Sequence, residues 1–459
     1  MTSSAVDQPI RRGRVFAWGL WNWGADAYNI VILTFVFSVY IVSSYFVDPA
    51  IVAAYNNAGG ASGSGPAIDA YNSAIAGLTA QLSWTFIIAG ILMALVAPLV
   101  GRAADRGGHR KMWLGIYTGL MILSCATLFF VQGQPSFFWF GVIMLAVGGV
   151  FYELASVNYN AMLTQISTRK NIGRVSGFGW GMGYLGGIVL LILALVGFIF
   201  GDGPYWFGVT SDDGMNIRMI AVLVTIWCII FTIPVLFSVE ENRALAPGSR
   251  AGFIEAYRAI GRSIRDLFNN DRRTFNFLLA SMIFRDGLAA VFTFGGILAA
   301  TVFGFSKTEV ILFAIGANVV AGIGVFLGGL FDDIIGPKRV IVVALSVISL
   351  VGLGLFFFHD GGQIVFWVGG LLLGFCVGPA QSASRSLMAR LAPAGKEGEI
   401  FGLYAFTGRA TVYIGTALFG LFVAISGATY WGILGIILVV LAGLIMLLPI
   451  KVDRINHEV

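Results

Sequence analysis

The chain of 459 residues is 58% apolar and only 11% charged, against roughly 25% charged in soluble domains, so it is read as a membrane protein. Its net charge of +5 follows from basic loops between apolar stretches and calls for no nucleic-acid partner. Cys125, Cys228 and Cys376 all fall within apolar stretches; they are expected to pack as small hydrophobes and exclude an external disulfide framework.

The polar N-terminus ends in Arg11, Arg12 and Arg14. The apolar run after it is too long for a signal peptide, so it is expected to stay as the first span. At about 20 residues per crossing, twelve spans are predicted, near 16–46, 82–100, 112–132, 136–166, 176–200, 218–238, 275–303, 309–331, 340–358, 364–391, 400–424 and 428–450. The fold class is therefore an all-α membrane protein with two six-helix halves, 1–238 and 275–459, joined by a linker, 239–274. Segment 47–80 has no Lys or Arg and contains Gly59, Gly60, Gly63 and Gly65, which predicts a flexible external loop. In the linker, Phe253, Tyr257, Ile260, Ile264 and Leu267 recur at helical spacing opposite Arg258, Arg262 and Arg265. That pattern predicts a surface amphipathic helix tethering the halves.

An even span count places both termini on one side. Most of the 28 Lys and Arg lie on that side: around Arg102 to Lys111, at Arg169, Lys170 and Arg174, between Arg243 and Arg273, and at Lys338, Arg339, Arg385, Arg390, Lys396, Lys451 and Arg454. The positive-inside rule makes it cytoplasmic.

One loop motif occurs twice. Gly101-Arg-Ala-Ala-Asp105-Arg106-Gly-Gly108-His-Arg110-Lys111 follows span 2, and Gly329-Leu-Phe-Asp-Asp333-Ile-Ile-Gly336-Pro-Lys338-Arg339 follows span 8. The Gly ends a span and permits close packing, the Asp can cap a helix or meet a base, and the paired bases suit anionic headgroups. Gly173-Arg-Val-Ser-Gly177 likewise matches Gly398-Glu-Ile-Phe-Gly402, and Asp26 matches Asp286. The halves are thus pseudo-symmetric, with spans 1, 4 and 5 equivalent to 7, 10 and 11.

The paired Gly-x3-Asp-x2-Gly-x-basic-basic loops resemble the signature of the major facilitator superfamily over nearly the whole chain. Four segments resemble its branch related to the vacuolar amino-acid effluxers of autophagy: Gly173 to Gly186, Phe284-Arg-Asp-Gly287, Gln381-Ser-Ala-Ser-Arg-Ser-Leu387, and Phe401-Gly-Leu-Tyr404 with Gly408-Arg409-Ala410. Trp18 to Tyr28 is similar too, except that Asn22 stands where the branch carries an acid and this chain's own acid is Asp26. The resemblance implies that spans 1, 4, 7 and 10 line a central cavity, that the loop motif latches one end closed, and that the substrates are amino acids. The expected setting is a bacterial cytoplasmic membrane, with the chain monomeric and without a cofactor.

Ionisable groups deep in spans cost at least about 2.5 kcal/mol unless paired or wetted. Here they are Asp26, Glu153, Arg285, Asp286 and Arg409, with Arg385 nearer the basic end. Three carboxylates meet two deep arginines, which makes Asp26 or Glu153 the candidate proton carrier. Cavity candidates are Asn22, Tyr28, Asn29, Asn158, Asn160, Arg285, Asp286, Gln381, Arg385, Tyr404 and Arg409. An Arg for a carboxylate and an acid for an ammonium suit a zwitterion, whereas sparse charge and many aromatics suit an amphiphile such as a drug, lipid or lipid precursor. No triad, metal spacing or phosphate-binding loop supports an enzyme or an ATP-driven pump.

Overall fold

The computed structural model describes residues 12–60, 63–107, 109–168, 170–201, 204–239, 253–410 and 414–452. Every regular element among them is a helix, as expected where no water serves the backbone polar groups. Among the described residues, eleven helices are long and apolar enough to cross a bilayer: Arg12–Ile41, Pro66–Asp105, Arg110–Phe130, Pro135–Gln165, Ile172–Phe198, Asp212–Ser238, Arg272–Thr301, Leu312–Ile335, Pro337–Phe357, Gln363–Leu391 and Thr429–Leu447. They are spans 1 to 10 and 12. Span 11 is described as two shorter helices, Glu397–Ala410 and Ile414–Ser426.

Local chemistry sets the helix ends. Span 8 is preceded by a capping box, in which the Ser306 hydroxyl accepts from the Glu309 amide (3.3 Å) and the Glu309 carboxylate accepts from the Ser306 amide (2.8 Å). It ends at Gly336, whose φ of 93° favours glycine, and Pro337 then opens span 9. In span 1, residues Tyr28–Phe35 widen into a π-helix, a feature that concentrates at functional positions.

The flexible external loop expected at 47–80 is not found. Asp48 accepts from the Ala50 amide and caps a helix, Pro49–Asn57. The helix of span 2 begins at Pro66 and runs 42 residues to Gly107, roughly 60 Å at 1.5 Å per residue. About half of it stands beyond the hydrocarbon. Tyr55 stacks on Tyr71 with centroids 4.0 Å apart, tying the two helices together. Ala67, Ala70, Ala74, Ala76 and Ala80 are strong helix formers, and the glycine cluster lies between the helices instead of spanning the segment.

Each half packs through aromatic stacks and small residues, because lipid supplies no hydrophobic drive between helices. In the first half Tyr159 stacks with both Trp18 (4.2 Å) and Trp21 (4.4 Å), while Phe294 stacks on Phe419 at 3.8 Å in the second. A helix at Phe253–Asn270 precedes span 7, with Ile260 and Leu267 buried and Arg258 exposed. The side chains of Phe253 and Tyr257 lie outside the described residues. The halves meet most closely at the basic end. A Cβ on Gly177 would lie 2.8 Å from the Val325 carbonyl oxygen and 2.9 Å from the Gly329 Cα, and one on Gly101 would run into the Gly398 carbonyl.

Candidate functional site

The two motif copies form the floor of the interface between halves. Asp105, 4% exposed, accepts from the amides of Gly398 (2.9 Å) and Glu399 (2.8 Å). A carboxylate thereby caps the positive N-terminal pole of span 11. Arg110 donates from Nε to Asp105 (2.9 Å) and meets Glu397 at 2.7 Å. The second copy mirrors this: Asp333 accepts from the amides of Gly173 (2.8 Å) and Arg174 (3.0 Å) at the start of span 5.

The expectation that the motif bases all sit at headgroups does not hold. Arg110 is buried between Asp105 and Glu397, since burial without those carboxylates would leave its charge unmatched. Lys338 donates to the carbonyls of Leu448 and Ile450 (both 2.7 Å) at the end of span 12, so it joins helices within its own half. The cations beside Asp333 are Arg390, 3.4 Å away and 3.0 Å from Asp332, and Arg174 at 3.2 Å. Lys111 is half-buried and Arg339 exposed. Sequence reasoning missed Asp332, Arg390, Glu397 and Glu399. Asp332 is wholly buried and bonded by Ser386, and an acid pair at the end of an apolar helix was the signal for it. Gly108 and the side chains of Arg106 and Arg409 lie outside the described residues.

Above this floor, Arg385 of span 10 crosses into the N-terminal half. Its Nε donates to the Ser176 hydroxyl (3.0 Å), one Nη to Asn160 Oδ1 (3.1 Å) and the other to the Ser176 carbonyl. The Ser176 hydroxyl donates to the Ser382 carbonyl at 2.8 Å.

A chamber of about 230 Å³ lies above Arg385, between the halves. Glu153 and Asn160 of span 4 face Arg285 and Asp286 of span 7, Gln381 of span 10 and Tyr404 of span 11 across it. Arg285 stacks on the Tyr404 ring, 3.9 Å from its centroid, and donates to the Tyr404 carbonyl at 2.9 Å. It makes no ion pair among the described residues, where the Tyr404 carbonyl takes one of its five donors. Asp286 accepts from the Gly415 amide at 2.6 Å, fastening span 7 to the second helix of span 11. A second chamber, also about 230 Å³, shares Glu153 and leads away from the basic end along Asn29, Leu33, Phe86 and Val150. The basic end is closed, and the cavity extends away from it.

Three cavity candidates lie elsewhere. Asn22 is 5% exposed and donates to the Gly179 carbonyl at 2.8 Å. Tyr28 is fully buried against Gly148 and Ser124, and Asn158 is fully buried and donates to the Leu154 carbonyl of its own helix. All three serve packing inside the N-terminal half, Asn22 and Tyr28 on span 1 and Asn158 on span 4. Asp26 likewise sits inside this half, bonded by the Tyr152 hydroxyl and packed against Gly183. Trp180, Ser156 and Phe401 line the main chamber and were not singled out from sequence.

Comparison with known proteins bears on this arrangement. A family model described as "Vacuole effluxer Atg22 like" matches residues 164–459. The chain belongs to that family, within the major facilitator superfamily. It is 24% identical over 433 residues to an uncharacterized MFS-type transporter, YxiO, of Bacillus subtilis, covering 94% of this chain and 93% of that one. Autophagy-related protein 22 of Yarrowia lipolytica is 26% identical over 311 residues, 61% of this chain and 51% of that protein. Among solved structures, the human organic anion transporter MFSD10 aligns with a TM-score of 0.66 at 16% identity, over 96% of this chain and 100% of that one. The proton:xylose symporter XylE aligns with a TM-score of 0.68 at 14% identity, over 96% and 95%. These likenesses carry the fold of this Atg22-like transporter; it is an integral membrane transporter and not an enzyme.

Proposed function

We propose that this Atg22-like transporter moves small polar metabolites, amino acids foremost, by alternating access coupled to protons. The observation that carries the reading is Arg285, stacked on Tyr404 and facing Glu153 across a chamber between the halves. A guanidinium takes a carboxylate bidentately, and an acid opposite it suits an ammonium group. The chamber is also smaller than the ~300–1,000 Å³ usual for drug-sized ligands. The basic end is cytoplasmic, so this is the outward-facing state, with Asp105 and Asp333 latching the cytoplasmic side. Glu153 is the proton carrier that lines the chamber; the protein works as a monomer in a bacterial cytoplasmic membrane, as its relative in Bacillus subtilis suggests.

In the second chamber Leu33, Phe86 and Val150 lie beside Asn29, Thr34 and Glu153, and these apolar residues favour a second reading, export or flipping of amphiphiles. Equilibrium binding to the purified protein separates the two. Saturable amino-acid binding, weakened at least tenfold by Arg285→Ala, supports the first reading; binding of lysolipids but of no amino acid supports the second.

A further inference from the structure

The Arg385 guanidinium takes its hydrogen bonds and most of its aromatic contacts from the opposite half, where the Asp26 carboxylate of span 1 also acts on it from beyond ion-pair distance. The guanidinium lies 5.3 Å from the centroid of Trp18, 5.5 Å from Trp180 and 5.8 Å from Tyr159, with the oxygens of Ser176 and Asn160 as hydrogen-bond acceptors. Arg385 is 3% exposed, and among the described residues no carboxylate pairs with it. The surrounding side chains belong to spans 1, 4 and 5, and they are braced without Arg385: Trp18 stacks on Tyr159 at 4.2 Å, and its indole donates to the Tyr159 carbonyl at 3.1 Å. Aromatic faces and carbonyl-type oxygens around one point are what a desolvated cation needs.

Resting on the alternating-access reading above, one consequence follows. When the halves part at the basic end, Arg385 leaves with span 10, and the box stays behind in the N-terminal half, facing the opening. We propose that Trp18, Tyr159, Trp180, Ser176 and Asn160 form a cation-binding site, filled by Arg385 in the closed state. In the opened state it takes the ammonium or guanidinium group of a substrate. Arg385 is thus a tethered competitor: as the basic end closes it re-enters the box and displaces the substrate's cationic group toward the chamber of Glu153 and Arg285. The substrate class is narrowed to solutes that carry a cationic group.

The test uses the full-length protein with spin labels on Lys170→Cys and Lys396→Cys, one on each half at the basic end, and with Cys125, Cys228 and Cys376 replaced by Ala. The label-to-label distance distribution reports closure. Arg385→Ala should raise the ratio of open to closed about tenfold. Methylguanidinium at millimolar concentration should close that variant again by filling the vacated box, yet shift the Arg385 protein the opposite way by competing for the box. Adding Trp18→Leu should remove both responses. An unchanged distribution, a shift of both proteins in the same direction, or a response that survives Trp18→Leu overturns the proposal. If Arg385→Ala does not fold, opening of the Arg385 protein by methylguanidinium supports the site and an unchanged distribution overturns it. No transported substrate enters the measurement, so a failure of amino-acid transport is read separately.

Discussion

The Asp333 carboxylate and the Gly173 amide lie 2.8 Å apart across the interface between the halves. Asp105 and the Gly398 amide repeat the relationship at 2.9 Å on the other side of the pseudo-two-fold axis. In both, an acid at the end of one span caps the first turn of a span in the opposite half, where the helix dipole and unpaired amides favour negative charge. Neither contact survives a parting of the basic end.

Replacing Asp105 or Asp333 with Asn keeps the shape and removes the charge. Hydrogen bonds to charged groups are worth about 1.5–3 kcal/mol, so each substitution should raise the open fraction about tenfold. The readout is modification of Ser382→Cys, which is fully buried in the closed state, by a thiol reagent added from the basic side. Substrate binding should persist while turnover falls. Loss of binding with an unchanged modification rate argues against a latch.

Glycines make the same closure possible by shape. Gly177→Ala places a methyl 2.8 Å from the Val325 carbonyl oxygen, and overpacking of this kind costs about 1–3 kcal/mol. It should open the basic end as Asp333→Asn does, but without the salt dependence of a charged contact. Gly119→Ala, where a Cβ meets nothing within 4 Å, is the neutral control.

Asp286 holds span 7 to span 11 through the Gly415 amide and also lines the chamber. Asp286→Ala should lower stability in detergent by about 1–3 kcal/mol, the cost of leaving a buried donor unsatisfied. Asp286→Asn keeps an acceptor and should spare the melting temperature while weakening substrate binding. Equal destabilisation by both would assign Asp286 a packing role alone.

The twelve spans and the paired motifs were legible because bilayer thickness and charge bias act on sequence directly. Rotation about each helix axis was not. A span that is apolar all round gives no periodic signal, and so Asn22, Tyr28 and Asn158 were placed in a cavity they do not reach, whereas Asn29, Asn160, Gln381 and Tyr404 do line one. The motif spacing located Asp105 and Asp333 but could not show that Arg390, from another span, supplies a cation for the second copy. The helix from Pro66 was obscured by reading the glycines of 59–65 as the character of a whole segment.

The proposed chamber between the halves carries a zwitterion and a proton. The most direct measurement is uptake of radiolabelled amino acids into proteoliposomes with and without a pH gradient, for the native protein and for Glu153→Gln. The native protein should show saturable uptake accelerated by the gradient, while Glu153→Gln should lose the acceleration and keep exchange of substrate for substrate, which needs no net proton transfer. Gradient-driven uptake undiminished in Glu153→Gln, or lipid head-group scrambling with no saturable amino-acid movement, would contradict this proposal.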